Sequence, residues 1–423
     1  MANESCTPAG SLMLGVRELF PAFTANPDVL FLDNASTTQK PEQVLATIES
    51  YYRNDCANAG RAIYPSALRA AQCIEKARVD VARLLHAEPC EIAFTSGATD
   101  SLNAVAYMWG LENLQDGDEV MVCLQDHSAA VSPWQLLAQT LAKLGKKITV
   151  KTFDIHAVGD YDLRSIQAAL SDRTRVVALS HIHHVFGLDM EISDIRQIVG
   201  PDVIISLDAS QSIAHVEVNA RELDVDFISF SGHKAFAGNG AGVLFARQSR
   251  HADLTPYRGG GHSAALSSEI SPEERSAFID KIEVGTLNIP AIASLSSAVN
   301  FIEDIGINVI RDHNSALTSL LVEKLKPLPG IIFAPGPVPC GCPGGHGILS
   351  FRFEHVSSFD LASALANEQI HVRSGDHCRA ERSAAHDNAS HDGFEDFIRV
   401  SMQVYNTADD VEILARTLEA LVS

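Results

Sequence analysis

Positive charge is scarce in this chain. Its 423 residues hold 32 lysines and arginines against 53 aspartates and glutamates, a formal net charge of −21. A surface that acidic repels phosphate backbones and anionic lipid. It argues against a nucleic-acid or membrane partner and leaves room only for a local basic pocket that could take a small anion. Long apolar runs are missing as well. None approaches the ~20 residues that a bilayer-spanning helix needs. Residues 1–20 show no positive stretch followed by an apolar core, as a secretory signal would, so the expected compartment is the cytoplasm. Cysteine is sparse and unpatterned: Cys6, Cys56, Cys73, Cys90, Cys123, Cys340, Cys342 and Cys378 nowhere form a CxxC pair. A zinc ribbon or a thioredoxin-like motif is therefore not expected, and most of these residues read as reduced, packed thiols. No Gly/Ser- or Pro-rich linker and no internal repeat divides the chain. Against these absences stand 46% apolar and 20% charged residues, enough for a large core and too apolar for general disorder. The length suggests two or three closely packed domains.

The middle of the chain alternates strand and helix patterns. Apolar runs at 91–95, 119–123, 148–153, 176–180, 203–207, 225–230 and 241–246 read as strands. Helical patterns at 100–111, 134–144, 163–170 and 193–199 fall between them. Short buried strands joined through helices predict an α/β fold with a mainly parallel sheet covered on both faces, whose functional groups lie beyond the strands' carboxyl ends. From about residue 289 the texture changes to long helices at 290–305 and 308–325. A Pro/Gly-rich turn region follows at 335–347, then strands at 348–353, near 371–373 and at 397–400, and helices at 358–368 and 408–421. This predicts a smaller α+β lobe. The expected division is a large domain over 28–290 and a small one built from 1–27 and 291–423.

Chemistry concentrates at the predicted strand ends. The strand at 225–230 delivers Ser231, Gly232, His233 and Lys234 to the sheet's edge. A lysine there loses solvation and lowers its pKa, as an imine-forming amine requires, while Ser231 and His233 can donate to a phosphate. Asp208 ends the run ISLD some twenty-five residues earlier, where a carboxylate suits a pyridinium nitrogen; a helix N-cap is the other reading. Ser96, Gly97, Ala98 and Thr99 join a strand to a helix start, where free backbone N–H groups and the Thr99 hydroxyl form a phosphate cradle. His127 follows the strand at 119–123 and could stack on a flat ring and move protons.

Together SGHK, LDASQ, FTSGATDSLN, QDHSAAVSPWQ, RSGDHC and YNT resemble the SufS-type cysteine desulfurases and selenocysteine lyases, within the class V aminotransferase family of pyridoxal-phosphate enzymes. The resemblance runs from LDNASTTQKP at Leu32 almost to the C-terminus. It implies fold type I: a large domain with a mainly parallel seven-stranded sheet, a smaller α+β domain, and a homodimer with the active site at the interface. It implies pyridoxal 5′-phosphate held by Lys234 as the covalent lysine, Asp208 at the ring nitrogen, Gln211 at the ring oxygen, and Ala98, Thr99, Ser231 and His233 at the phosphate, with His127 stacked on the ring. Thr286, in VGTLN, would reach a phosphate in the other subunit, and Arg61 would lie at the interface near that site. Cys378 matches the persulfide-forming nucleophile, Arg399 the arginine that receives the substrate carboxylate, and Arg373 a second arginine at the base of the cysteine loop. The implied substrate is L-cysteine or selenocysteine, and the implied partner a sulfur-acceptor protein, as in iron–sulfur assembly.

Three stretches depart from the family. His184, in SHIHHVFG, stands where an asparagine near the ring oxygen and substrate is usual. Ser128, Ala129 and Ala130 replace a more polar segment. Residues 381–396 form a long polar loop whose His386, Asp387, His391 and Asp392 could bind metal in principle, as could Cys340, Cys342 and His346; a solvated loop and a Gly/Pro turn account for both, and no metal is expected. The rival functions are a class V C–S lyase or epimerase in which Cys378 is idle, and a non-catalytic sulfur-carrier scaffold.

Overall fold

The computed structural model describes residue 13 and residues 15–59, 63–261, 278–340, 345–380 and 396–422. A two-residue strand, β1 (Leu30–Phe31), precedes the helices Glu42–Asn54 and Pro65–Leu84. Then come β2 (Ile92–Thr95), β3 (Glu119–Cys123), β4 (Thr149–Phe153), β5 (Thr174–Ser180), β6 (Ile204–Asp208), β7 (Phe227–Ser231) and β8 (Gly242–Ala246). These seven form one sheet in the order β2-β8-β7-β6-β5-β3-β4. All neighbours are parallel except β8, which runs antiparallel to both β2 and β7. The mainly parallel sheet expected from the sequence is therefore present.

Successive residues of a strand point to opposite faces, and here both faces are covered. Ile205, Val177, Met121, Ile228 and Phe245 enter one apolar cluster. Their neighbours Ile204, Val176, Val120, Phe227 and Leu244 enter another. This is why the strands read as unbroken apolar runs with no polar alternation. Helix Ile289–Ile305, capped by the Asn288 side chain with proline in its first turn, is buried along most of its length.

A second sheet contains β9 (Ile331–Phe333), β10 (Ile348–Phe353), β12 (Arg373–Gly375) and β13 (Phe397–Ser401), in the antiparallel order β12-β13-β10-β9, while β11 (Ile370–His371) pairs in parallel with β1. Leu30 and Leu32 pack with Leu349, Phe351, Ile398 and Leu414 in one cluster. The single strand expected near 371–373 is thus two strands in two different sheets, a distinction set by partners distant in sequence. The turn region at 335–347 holds a short helix, Pro337–Cys340. The polar loop at 381–396 lies outside the described residues apart from Asp396 at its end, and Cys342 lies outside them too. No helix among the described residues is long and apolar enough to cross a membrane. Among the described residues no group of three His, Cys, Asp or Glu side chains is placed to hold a metal ion.

Candidate active site

The carboxyl ends of parallel strands gather side chains because every strand stops at the same edge. β5, β6 and β7 end there with Ser180, Asp208 and Ser231, and the turn Gly232–Lys234 follows directly. They open onto a cavity of about 240 Å3 whose wall includes Ala98, Thr99, His127, His184, Gln211, His233, Lys234, Arg373, His377 and Arg399. Residues far apart in the chain are thereby brought to one place.

Lys234 is only partly exposed. Burial pulls its ammonium pKa down to about 8; the Asp208 carboxylate opposes that shift, and Arg399 and Arg373 add to it. Asp208 is 8% exposed, and its Oδ1 accepts from the Ser210 N–H at 2.9 Å. Ser210 is the second residue beyond Asp208, so the carboxylate is turned and fixed by its own loop. Gln211 donates to the Ala35 carbonyl at 2.9 Å, which pins its amide against the segment after Leu32.

The helix Ala98–Val105 begins two residues earlier than its apolar pattern indicates. Its first N–H, on Ala98, donates to Ser231 Oγ at 2.8 Å, so the helix start and β7 meet. The approach is close: a Cβ on Gly242 of β8 would collide with the Gly97 backbone. Ser231 and the helix N-terminus thus form the floor of an anion site. His233 beside them has its pKa lowered to about 4, first by burial and then by the Lys234 and Lys40 cations; its carbonyl accepts from the Thr38 N–H at 3.1 Å and from Lys40 Nζ at 3.0 Å.

His127 caps helix Ser128–Lys143, its Nδ1 accepting from the Ala129 N–H at 3.2 Å. The cap explains why this helix starts at 128 and not at 134. It also leaves the neutral ring with its proton on Nε2. Burial, then the Lys234 cation, holds the imidazole below its usual pKa. His184 stands edge-on to it, ring centroids 5.3 Å apart.

Arg373 and Arg399 are register partners across β12 and β13. Two guanidinium groups side by side repel and so favour an anion between them. Arg399 is buried, at 2% exposure. It donates to the His184 carbonyl at 3.0 Å, to Asp33 Oδ1 at 3.2 Å and to Ser36 Oγ at 3.0 Å, while its Nε has no partner. Arg373 donates to Ser36 Oγ at 3.1 Å and to Cys378 Sγ at 3.2 Å. Cys378 is half-buried and is not itself on the cavity wall; Arg373 stands at that wall and holds the sulfur.

Two residues are expected to serve the site across a subunit interface, Thr286 in the other subunit's cavity. Thr286 is exposed and off the cavity wall, and Arg61 lies outside the described residues. Conversely, Ser36, Asp33 and His377 belong to the constellation and carry no separate signal in the sequence. Ser36 and Asp33 sit in LDNASTTQKP and His377 in RSGDHC, so the motifs contain them, but their roles emerge only from contacts. Of the other cysteines, Cys123 is buried in β3 and Cys73 half-buried in a helix, while Cys56 and Cys90 are exposed.

The residues fit a phosphorylated pyridine aldehyde. A lysine with a lowered pKa, a carboxylate near it, a helix start able to cradle an anion and two arginines all line one cavity. Comparison with known proteins agrees. Probable cysteine desulfurases of Staphylococcus epidermidis and Xylella fastidiosa are 32% and 31% identical to this chain, over 402 and 388 residues, covering 93% and 91% of it and 92% and 88% of their own lengths. The apo structure of a cysteine desulfurase from Thermococcus onnurineus NA1 superimposes with a TM-score of 0.85 at 27% identity, covering 97% of this chain and 98% of that one. The aminotransferase class-V family profile matches residues 30–414, and the chain belongs to that family.

Proposed function

We propose that this protein is a pyridoxal-phosphate-dependent cysteine desulfurase, which takes sulfur from L-cysteine to leave L-alanine and a persulfide on Cys378. The observation that carries the reading is the junction of Arg373 with Cys378 Sγ beside Arg399, at the mouth of the Lys234–Asp208 cavity. It combines a carboxylate clamp with a thiol.

Lys234, Asp208, Gln211 and His127 would hold the cofactor ring, and Ala98, Thr99, Ser231 and His233 its phosphate. When bound, pyridoxal phosphate supplies an aldehyde for the substrate amine and a ring that accepts the electron pair left at Cα. Arg399 and Arg373 receive the substrate carboxylate; a planar guanidinium fork matches it in two parallel hydrogen bonds. Lys234 Nζ, in its neutral form, would take the α proton, and its lowered pKa suits that role near neutral pH. Cys378 Sγ then attacks the substrate sulfur. The new S–S bond forms as the substrate's Cβ–S bond breaks and the thiol proton is released; a proton delivered to Cβ and the return of the α proton from Lys234 to Cα together complete alanine.

The finer assignments rest on the resemblance and on particular surfaces. The protein acts as a homodimer. Tyr52, Ile63, Tyr64 and Leu68 are exposed apolar or aromatic side chains that a partner could cover, and Thr286, exposed and away from its own cavity, is free to reach a partner's site. Selenocysteine is a second substrate, a sulfur-acceptor protein takes the persulfide for iron–sulfur assembly, and the acidic protein works in the cytoplasm. The large and small domains divide near residues 28 and 290.

The test is turnover of cysteine by wild type and Cys378→Ser, with alanine and pyruvate both measured. Loss of alanine and sulfide release in the variant supports the desulfurase. Continued turnover that yields pyruvate would mean an elimination enzyme with an idle Cys378.

A further inference from the structure

His184 is the main departure of this pocket from the family pattern, and its imidazole does not offer a hydrogen bond to the cavity. Nε2 lies 3.0 Å from the His377 carbonyl oxygen. Only a protonated nitrogen can bond there, so Nε2 carries the hydrogen and Nδ1, buried and unpartnered, is a bare acceptor. The ring is 4% exposed. Its one N–H is spent on the residue before the cysteine.

The cysteine loop needs such a tie. His377 and Cys378 both have left-handed backbone, with φ of +54° and +64°. Side-chain-bearing residues adopt that region at an energetic cost and hold it only where surrounding contacts over-determine it. Four other contacts help: His377 Nε2 on the Phe397 carbonyl at 3.1 Å, the Cys378 N–H on Asp376 Oδ1 at 3.0 Å, the Ser128 N–H on the Cys378 carbonyl at 2.9 Å, and the Ala380 N–H on the Asp126 carbonyl at 3.0 Å. All of these anchor the loop to itself, to β13 or to the His127 turn. The His184 contact instead joins it to the residue whose own carbonyl receives Arg399 Nη1.

The contacts close a ring. The His184 side chain bonds His377; Cys378 Sγ accepts from Arg373; Arg373 and Arg399 share Ser36 Oγ; Arg399 returns to the His184 carbonyl. Gly187, in the left-handed region at φ +68°, closes the turn that carries His184, and a Cβ there would meet the Ile348 backbone oxygen.

We infer that His184 is a positioning residue for the thiol. Its Nε2–H hydrogen bond to the His377 carbonyl sets the reach of Cys378 relative to the arginine clamp that receives the substrate carboxylate. The inference rests on the reading of Cys378 and Arg399 above, but its first test needs no turnover. In cofactor-loaded protein, alkylation of Cys378 by iodoacetamide, followed by mass spectrometry of the peptide, reports how firmly the loop is held. His184→Phe keeps the ring and removes the N–H. It should alkylate several-fold faster than wild type, while its kcat for alanine formation falls roughly tenfold, the loss expected of one buried hydrogen bond that positions a reacting group. KM should change little, because the arginine donors remain. His184→Gln restores a donor of similar reach and should return both readouts toward wild type. If His184→Phe is insoluble, His184→Met answers the same question with a flexible side chain that also lacks a donor. Wild-type alkylation and wild-type kcat in a donorless variant overturn the inference, as does failure of His184→Gln to recover either. The desulfurase reading fails separately, through alanine formation that survives Cys378→Ser.

Discussion

Lys234 should make the apo protein less stable than it could be. An ordinary lysine titrates at 10.5; here burial brings the value to about 8. The folded-state pKa lies below the unfolded one, so the unfolded chain binds the proton more readily. Stability from this group is therefore lost as pH falls from 10.5 toward 8 and stays lost below that. At ~1.4 kcal/mol per pH unit of displacement, the cost at pH 7 is about 3 kcal/mol. At pH 9 the folded lysine is already mostly neutral, and the same linkage leaves about 2 kcal/mol. Lys234→Met retains the alkyl stem and removes the charge. Urea unfolding of apo wild type and variant should show the variant more stable at pH 7, with a margin that shrinks by about 1 kcal/mol between pH 7 and pH 9. A margin independent of pH would refute the argument, since the packing difference between Lys and Met does not titrate. The same displacement has a functional side. At pH 7 about a tenth of an amine with a pKa near 8 is free, against fewer than about one in a thousand for an unperturbed lysine, so the rate at which apo protein captures pyridoxal phosphate should climb with pH and level off above 8. Function and stability are opposed at this residue.

Further outcomes follow from neighbouring groups. Arg399→Lys keeps the charge but loses the fork; KM for cysteine should rise at least about tenfold in steady-state assays while Cys378 remains open to alkylation. Asp126 is fully buried beneath the His127 turn, accepts from Tyr161 at 2.7 Å, and has its pKa raised by burial to about 7. A raised carboxyl pKa removes stability as pH climbs from about 4 to 7, so Asp126→Asn should melt higher than wild type at pH 8 and match it near pH 4. Asp208→Asn removes the charge that favours a protonated lysine and the acid that would meet the ring nitrogen; turnover should drop by orders of magnitude, and the pH at which apo protein captures cofactor should move down.

Much of this site was legible because strand patterns and end positions are local. β3, predicted over 119–123, forms over those residues, and the other six strands of the large sheet agree to within two residues at each end. Lys234 and Asp208 stood out as charges at the close of apolar runs, and the sheet brings those ends together. Helix starts were less legible. The helix after His127 begins six residues before its apolar pattern because a side-chain cap, not amphipathicity, sets its first turn. The segment near 371–373 reads as one strand, yet β11 pairs with β1 and β12 with β13. β11 takes a partner near the other end of the chain, β12 one beyond the cysteine loop, and neither choice is written in the segment itself.

Chain order alone determined an α/β protein with a lysine, an acid and a helix start at one sheet edge, and its motifs determined the family. Periodicity and turn chemistry act over a few residues, so a sequence carries them in full. What His184 does with its single proton, where Arg373 places Cys378 Sγ, and that Ser36 holds two arginines at once were decided only in three dimensions. The His184 and Ser36 contacts span segments that nothing local brings together, the Arg373–Cys378 contact depends on the left-handed turn between them, and a histidine's tautomer is set by the carbonyl it happens to meet.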